Sequence, residues 1–187
     1  LKPESFISTL GMAGNVVDNL EALEIEVELI SNANKIKKTR YVDSKTNHMF
    51  FRIDEGEDDV FPIAQKTLDN INWEDYNAVI ISDYCKGFID EDNDVEYRYS
   101  EKFIDNNYKD SLIITRGSNG AEYKGNTYPV KKVDVKDTSG AGDSFLAGLV
   151  GNYLETYNIV KSIKFANKCA TQVVQKKGTA KINKNEI

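Results

Sequence analysis

The residues best suited to chemistry form one segment, Asp137–Asp143, with the sequence DTSGAGD. It follows an apolar alternation at Val130–Val135 and precedes a helical stripe from Ala141 to Leu154, which predicts a strand, a glycine turn and a helix. The first turn of a helix leaves N–H groups unpaired and carries partial positive charge. The turn is therefore a candidate anion site, and the alternative is that Asp143 simply stabilises a helix start.

Two other predicted strand ends carry polar or glycine-containing loops, one with Asp83 and one at Arg116–Gly120. In an open α/β sheet such loops meet at the carboxyl edge, where ligands bind. Backbone donors beside a carboxylate suit phosphoryl transfer, which depends on positioning and electrostatic stabilisation. Asp143 would be the general base on an attacking hydroxyl, and the N–H groups of Gly140-Ala141-Gly142 would bind the charge on the transferred phosphate. For Asp83, capping of the following turn is the competing interpretation.

Other chemistries find little support in the sequence. It has no Walker-type loop ending in Lys-Ser or Lys-Thr, no G-x-G-x-x-G fingerprint and no G-x-S-x-G elbow. The single histidine, His48, lies in a predicted hairpin, so a Ser-His-Asp triad has no well-placed member. The sequence also lacks a set of zinc ligands.

Composition indicates a globular protein with one domain spanning residues 1–187, with 40% hydrophobic and 29% charged residues. A net charge of -6 does not indicate a nucleic-acid partner. The two cysteines, Cys85 and Cys169, lack metal-ligand spacing and fit a reducing compartment, so we expect a cytoplasmic protein. No apolar run approaches the roughly 20 residues that span a bilayer, and no signal peptide is visible, so no membrane partner is expected.

Hydrophobic periodicity predicts an α/β fold with a doubly wound, mostly parallel sheet. A helical stripe over residues 11–24 begins at a glycine-bearing segment, and continuous apolar runs predict buried strands. The predicted strands are Val27–Ile30, Ala78–Ile81, Leu112–Thr115 and Val130–Val135, the later helices are Val60–Ile71 and Val160–Gln175, and a hairpin at Ala121–Val130 turns at Lys124-Gly125-Asn126.

Residues 36–54 form a different pattern, two alternating segments around a polar turn at Asp43–Thr46, which predicts a β-hairpin. Both of its faces carry apolar or aromatic residues, so one face would pack on the body and the other on a partner chain. We therefore expect a lid or a homodimer clasp, and the alternative is an edge hairpin with no further function.

Several segments resemble motifs of the ribokinase-like (PfkB) carbohydrate kinases, in family order. Asp137–Asp143 resembles their C-terminal signature, and Gly11-Met12-Ala13-Gly14-Asn15 resembles their sugar-binding glycine motif. Asn93-Asp94-Val95-Glu96 is similar to their N-x-x-E motif, which helps organise magnesium and phosphate. Thr115–Gly120 resembles the nucleotide loop, and Ala166-Asn167 resembles the adenine-side position.

The resemblance implies a ribokinase-like fold with a small β lid, and ATP, Mg²⁺ and K⁺ as ligands, with Glu96 reaching the magnesium through water. The substrate would be a small sugar. The cofactor-binding residues that it implies are Asn93, Glu96, Thr115, Gly117, Ser118, Gly120 and Asn167, and the substrate-binding residues are Gly11, Asn15, Arg40, Asp83 and Lys86.

A closer resemblance is to the heptose-7-phosphate kinase branch of that family. It rests on Lys38-Thr39-Arg40, on Phe51-Arg52-Ile53-Asp54 and on Ser82-Asp83-Tyr84-Cys85-Lys86-Gly87. Arg40, Arg52 and Lys86 suit a phosphorylated sugar, because guanidinium and ammonium groups bind phosphate well. Salt-bridged or solvated charge is the alternative for these three side chains. The branch phosphorylates the anomeric hydroxyl of a heptose 7-phosphate.

The chain also departs from the family pattern. The first strand of the family, with its substrate-binding Asp, has no counterpart before Leu1, and five residues separate Gly87 from Asn93. A parallel crossover needs a dozen residues or more, so a central segment is expected to be missing. Two alternatives therefore stand beside the heptose kinase: a kinase of another sugar or of a nucleoside, and a non-catalytic, kinase-like binding or assembly protein.

Overall fold

The computed structural model describes residues 3–32, 36–46, 48–56, 60–82, 84, 87–88 and 111–187. Contacts divide the chain into two units, residues 1–29 with 98–187, and residues 30–97. The helices are α1 (Ala13–Ala22), α2 (Gln65–Asp69), α3 (Ala141–Thr156) and α4 (Ile159–Val173), with short 3₁₀ turns at Trp73–Asp75, Gly117–Asn119 and Lys184–Glu186. The strands are β1 (Lys37–Val42), β2 (Met49–Glu55), β3 (Ile113–Thr115), β4 (Ala121–Tyr123) and β5 (Asn126–Tyr128).

Helices α3 and α4 form the centre of the first unit, and both predicted helices are confirmed. They approach closely because Gly148 has no side chain. A Cβ at that position would lie 2.6 Å from Sγ of Cys169 and 3.2 Å from Cα of Ala166. Burial raises the pKa of the Cys169 thiol to about 12, so this side chain stays protonated at neutral pH and packs as a small apolar group.

A three-stranded antiparallel sheet of β3, β4 and β5 belongs to the same core. The predicted strand over Leu112–Thr115 is confirmed as β3, and the hairpin turning at Lys124-Gly125 is confirmed as β4 and β5. Their apolar side chains pack against those of α3 and α4. The core residues are Ala121, Phe145, Ile163 and Ala166, surrounded by Ile113, Tyr123, Tyr128, Leu149, Ile159 and Ala170.

Helix α1 lies against α3, with Val16 and Leu20 at most 4% exposed. The helix predicted over residues 11–24 is therefore confirmed. A Cβ on Gly151 of α3 would lie 2.7 Å from Cδ1 of Ile25 and 3.3 Å from Cδ1 of Leu23, so glycine at this position lets both side chains approach α3 closely. This contact packs the C-terminal end of α1 against α3.

The second unit contains the predicted hairpin, confirmed as the antiparallel pair β1–β2. The rings of Tyr41 and Phe51 stack with centroids 4.4 Å apart. Asp43 closes the turn by accepting the N–H of Thr46 at 2.6 Å and that of Lys45 at 3.0 Å. These bonds, chiefly that from Thr46, hold the pKa of the Asp43 carboxyl below its usual range.

Three predicted strands are wrong in the structure: Val27–Ile30, Ala78–Ile81 and Val130–Val135 contain no strand. Parallel strands need paired neighbours and covered faces, yet Val79 is 57% exposed and Val135 is 52% exposed. All strand pairs among the described residues are antiparallel. The helix predicted over Val60–Ile71 shortens to α2, whose five residues include no buried side chain.

Candidate functional site

The segment Asp137–Asp143 forms a tight loop that leads into α3. Gly140 caps the helix with φ 80° and ψ 2°, a left-handed conformation that favours glycine. Asp137 accepts the N–H of Ser139 at 2.9 Å through Oδ1 and the N–H of Gly178 at 3.1 Å through Oδ2. The loop is therefore fastened to itself and to the turn that follows α4.

The predicted anion-binding amides start α3. The Ala141 N–H donates to the carbonyl oxygen of Thr138 at 3.2 Å, so one of the three is already hydrogen bonded. Gly142 is exposed, and the space where its Cβ would lie is open. Because first-turn N–H groups lack helical acceptors and lie at the positive end of the helix dipole, Gly142 has the environment that an anion requires.

Asp143 is held by a residue that the sequence places 128 positions away. Nδ2 of Asn15 donates to Oδ2 of Asp143 at 2.7 Å, and Asn15 is only 2% exposed. A Cβ on Gly140 would lie 2.6 Å from Nδ2 of Asn15, so glycine makes room for the amide. Helices α1 and α3 run in the same direction, because Leu23 lies beside Gly151, eight residues further along each helix. Two positive helix ends therefore meet at this carboxylate.

A buried polar cluster supports Asn15 from behind. Oδ1 of Asn19 accepts Oγ–H of Ser144 at 3.2 Å and the N–H of Ile182 at 2.9 Å, while its Nδ2 donates to the carbonyl oxygen of Asn15 at 2.7 Å. Asn19 and Ser144 are both fully buried. The sequence analysis did not identify this cluster. The available signal was an asparagine pair spaced i, i+4 beside Val16 and Leu20, on the face that α1 buries.

The start of α1 carries backbone strain. Met12 caps this helix with φ 52° and ψ −128°, a conformation that side chains other than glycine rarely adopt. Strain of this kind is about 1–3 kcal/mol and is concentrated at functional sites. Met12 immediately precedes the helical turn that supplies Asn15.

We expect Met12→Gly to raise the free energy of unfolding by about 1 kcal/mol, because relief of strain exceeds the entropy that glycine adds to the unfolded chain. Urea denaturation measures this as a higher midpoint at unchanged slope. Met12→Ala is the matched control, since it keeps the Cβ and hence the strain. A midpoint that rises equally in both variants would contradict the strain argument.

The predicted nucleotide loop follows β3 directly. Thr115, Gly117 and Ser118 are exposed, and the loop closes through the N–H of Arg116, which donates to the carbonyl oxygen of Gly120 at 2.7 Å. Gly120 has φ 88° and ψ −132°. Its Cβ position lies 2.1 Å from the carbonyl oxygen of Tyr128, so only glycine fits.

Asn167, the predicted adenine-side residue, supports the same loop from α4. It is 6% exposed, and its Nδ2 donates to the carbonyl oxygen of Tyr128 at 2.7 Å. That oxygen also lies over Gly120. The described contacts therefore give Asn167 a part in fixing β5 beside the loop.

The other predicted site residues are distributed unevenly. Gly11 is exposed just before α1, where its carbonyl oxygen accepts the N–H of Gly14 at 3.0 Å. Arg40 is exposed on β1 of the second unit, directly opposite Arg52. Arg52 pairs with Asp54 at 2.7 Å. Four predicted site residues lie outside the described residues: Asp83, Lys86, Asn93 and Glu96.

The described part of the chain offers neither a metal-binding cluster nor a membrane-spanning helix. Those residues include no group of three or more His, Cys, Asp or Glu side chains placed to hold a metal ion. None of the helices formed by these residues has the length and apolar character needed to cross a membrane.

Comparison with known proteins gives one family. The family model described as pfkB family carbohydrate kinase matches residues 88–186. "Ribokinase" from Schizosaccharomyces pombe is 36% identical over 87 residues, covering 44% of this chain and 27% of that protein. "Fructokinase-1" from Zea mays is 35% identical over 78 residues, covering 36% of this chain and 24% of that protein.

A longer match is to "Bifunctional protein HldE" from Nitratiruptor sp., 27% identical over 259 positions that cover 95% of this chain and 56% of that protein. Because 259 aligned positions exceed the 187 residues here, that relative contains internal residues without a counterpart in this chain.

One solved structure is similar, "Adenosine kinase from Schistosoma mansoni in complex with 2-fluoroadenosine", with 26% identity and a TM-score of 0.34. The match covers 40% of this chain and 24% of that one. The chain thus spans between about a quarter and just over half of the length of the relatives described.

Proposed function

Because this chain belongs to the pfkB family of carbohydrate kinases, we propose that it transfers the γ-phosphoryl group of ATP to a hydroxyl of a small sugar. Family membership confirms the α/β ribokinase-like fold class. The observation that carries the proposal is the geometry at the start of α3, where Asp143 adjoins exposed Gly142 and is held by Asn15 at 2.7 Å.

The proposed step is an in-line displacement. The acceptor oxygen forms a bond to the γ-phosphorus while the bond from that phosphorus to the β,γ-bridging oxygen breaks, and its electron pair leaves with ADP. The hydroxyl proton passes to the Asp143 carboxylate, which acts as general base. The first-turn amides of α3, with Gly142 the most accessible, would stabilise the charge on the transferred group.

The nucleotide would bind at the glycine loop after β3. Exposed Thr115, Gly117 and Ser118 would contact it, while Gly120 and Asn167 fix the shape of the loop through the carbonyl oxygen of Tyr128.

Metal ions belong to the same proposal. Mg²⁺ binds through one or two carboxylates together with nucleotide phosphates, and Asn93 and Glu96 are the residues proposed to organise it, Glu96 through water. When bound, Mg²⁺ would neutralise charge on the β- and γ-phosphates. K⁺ near the loop Asp137–Asp143 remains a further proposal from the family resemblance.

For the acceptor, we propose a heptose 7-phosphate phosphorylated at the anomeric hydroxyl. Arg40 supports a phosphorylated sugar, because this guanidinium side chain is exposed on β1. Arg52, which lies opposite it, already pairs with Asp54 at 2.7 Å, so Arg40 is the guanidinium that we propose for the sugar phosphate. Gly11, Asp83 and Lys86 complete the proposed sugar side.

The alternative acceptor is another sugar or a nucleoside. It is supported by the similarity of this chain to relatives named ribokinase and fructokinase. The alternative from another class is a non-catalytic binding or assembly protein. It is favoured by the internal residues of the HldE relative that have no counterpart here.

The test is a phosphate-transfer assay with ATP and a panel of heptose 7-phosphate, fructose, ribose and adenosine. We expect ADP release and a phosphorylated product with one acceptor, and heptose 7-phosphate is the first choice. ATP binding without transfer to any acceptor would reject the kinase and favour the binding protein.

We further propose that the β1–β2 hairpin forms a homodimer contact. Every residue of β2 is exposed, including Met49, Phe51 and Ile53, and exposed apolar surface of this kind is typical of an interface. Light scattering should give twice the mass of the chain, and Phe51→Ser should shift the protein towards monomer. A monomeric parent at working concentration would contradict the proposal.

A further inference from the structure

We infer that Asn15 is a positioning residue for Asp143, held in one orientation by a hydrogen-bond chain that begins at the backbone N–H of Ile182. The inference rests on the proposed function, in which Asp143 is the base. The chain runs from the N–H of Ile182 through Asn19 to Asn15 and ends at Oδ2 of Asp143.

The polarity of this chain follows from its first member. A backbone N–H can only donate, so the Asn19 atom 2.9 Å from the nitrogen of Ile182 must be the oxygen, Oδ1. Nδ2 of Asn19 then faces Asn15, where it donates to the carbonyl oxygen at 2.7 Å and to Oδ1 at 3.4 Å. Since Oδ1 of Asn15 accepts on that side, its Nδ2 faces Asp143.

Burial makes this arrangement stable. Asn15 is 2% exposed and Asn19 is 0% exposed, so an amide turned the wrong way would leave polar atoms unpaired away from water. Gly140 leaves the space that this amide occupies, because a Cβ there would lie only 2.6 Å from Nδ2 of Asn15. The donor that faces Asp143 is therefore fixed in place as well as in direction.

The functional consequence is that Asn15 sets the orientation of the Asp143 carboxylate, the proposed base. A carboxylate that receives a fixed hydrogen bond on Oδ2 keeps one side-chain orientation. Proton transfer requires a base within hydrogen-bond reach of the reacting hydroxyl, and a misplacement of 1 Å can lower a rate by about 100-fold. Asn15 thus acts through Asp143 in this proposal.

The competing explanation is that Asn15 merely joins α1 to α3. Asn15→Asp separates the two explanations, because it keeps the volume and the acceptor for Asn19 but replaces the donor by a carboxylate. Asn15→Ala removes the side chain altogether. Ser144→Ala is the matched control, since Oγ of Ser144 reaches Asn19 at 3.2 Å, and loss of that bond leaves Ile182 to orient the amide.

With the sugar that the parent phosphorylates, we expect Asn15→Ala to lower kcat by about 100-fold with KM for ATP changed less than about 3-fold. Asn15→Asp should lower kcat at least as much, because its carboxylate has no N–H to donate to Oδ2 of Asp143. Ser144→Ala should keep kcat within about 3-fold. Equal losses of kcat in all three variants, with KM for ATP rising in parallel, would overturn the inference.

Crystal structures of the same variants separate this inference from the proposed function. A parent that phosphorylates no sugar would reject the function, while the position of the Asp143 carboxylate would still decide the inference. We expect that carboxylate to leave its single orientation in Asn15→Ala and to keep it in Ser144→Ala. A carboxylate placed as in the parent in both variants would overturn the positioning role, and Asn15→Asp decides it if Asn15→Ala does not fold.

Discussion

Replacing Asp143 by asparagine is expected to lower kcat for phosphoryl transfer by about 10²- to 10⁴-fold, the usual contribution of a general base. Asparagine has nearly the same shape and can still accept the hydrogen bond from Nδ2 of Asn15, which is 2.7 Å away in the parent. The fold should therefore survive. Since the nucleotide loop is built by other residues, the Kd for ATP should change less than about 2-fold.

The measurement is steady-state kinetics with the acceptor found in the panel, together with calorimetric titration of ATP. Asp134→Asn is the matched control, because it makes the same change of charge at an exposed residue a few positions before the loop. We expect that control to keep the parent rate. If Asp143→Asn also keeps the parent rate, the base has been assigned to the wrong residue.

The second large effect is expected from Gly120→Ala. Its Cβ would lie 2.1 Å from the carbonyl oxygen of Tyr128 and 3.0 Å from Cα of Pro129, and the backbone has φ 88°. The strained conformation is about 1–3 kcal/mol unfavourable for alanine, and displacing Tyr128 also disturbs the bond from Asn167. We expect the free energy of unfolding to fall by about 3 kcal/mol or more and Tm to fall by roughly 6–12 °C.

Gly125→Ala provides the matched control for this prediction. Gly125 also has a positive φ, 74°, in the same three-stranded sheet, but nothing lies within 4 Å of its Cβ position. A loss of about 1 kcal/mol is expected there. Calorimetric melting gives the decrease in Tm for both variants, and the difference measures the steric clash with the Tyr128 carbonyl oxygen. Equal decreases would show that this oxygen is not what requires glycine at position 120.

Local sequence signals predicted much of the first unit correctly. The glycine-bearing loop before α3, the stripe of α4 and the turn at Lys124-Gly125 depend on neighbouring residues alone, so periodicity and turn chemistry suffice. The hairpin of residues 36–54 was recognised for the same reason.

The wrong predictions concern elements whose state depends on distant partners. An apolar run such as Ala78–Ile81 becomes a parallel strand only if other strands and helices cover it, and the described residues leave Val79 and Ile81 exposed. The residues of the run itself do not indicate whether those other strands and helices are present.

The candidate site shows the same limit. Asp143 and its loop were identified from sequence, whereas its bond to Asn15 joins residues 128 positions apart, and that of Ser144 to Asn19 joins residues 125 apart. A single sequence contains no local signal for such pairs. The strain at Met12 is equally invisible, because only the backbone angles reveal it.

The contacts between α1 and residues 181–184 form late, because their second partners are synthesised long after α1. Asp18 binds Lys181, Asn19 binds Ile182 and Glu24 binds Lys184, across separations of 160 to 163 residues. A ribosome adds roughly 5–20 residues per second, so roughly 8–30 s pass between the synthesis of α1 and that of these partners. Until then Ser144 is the remaining described donor to Oδ1 of Asn19, and a nascent chain that has not reached residue 182 lacks the backbone N–H that fixes the direction of this amide.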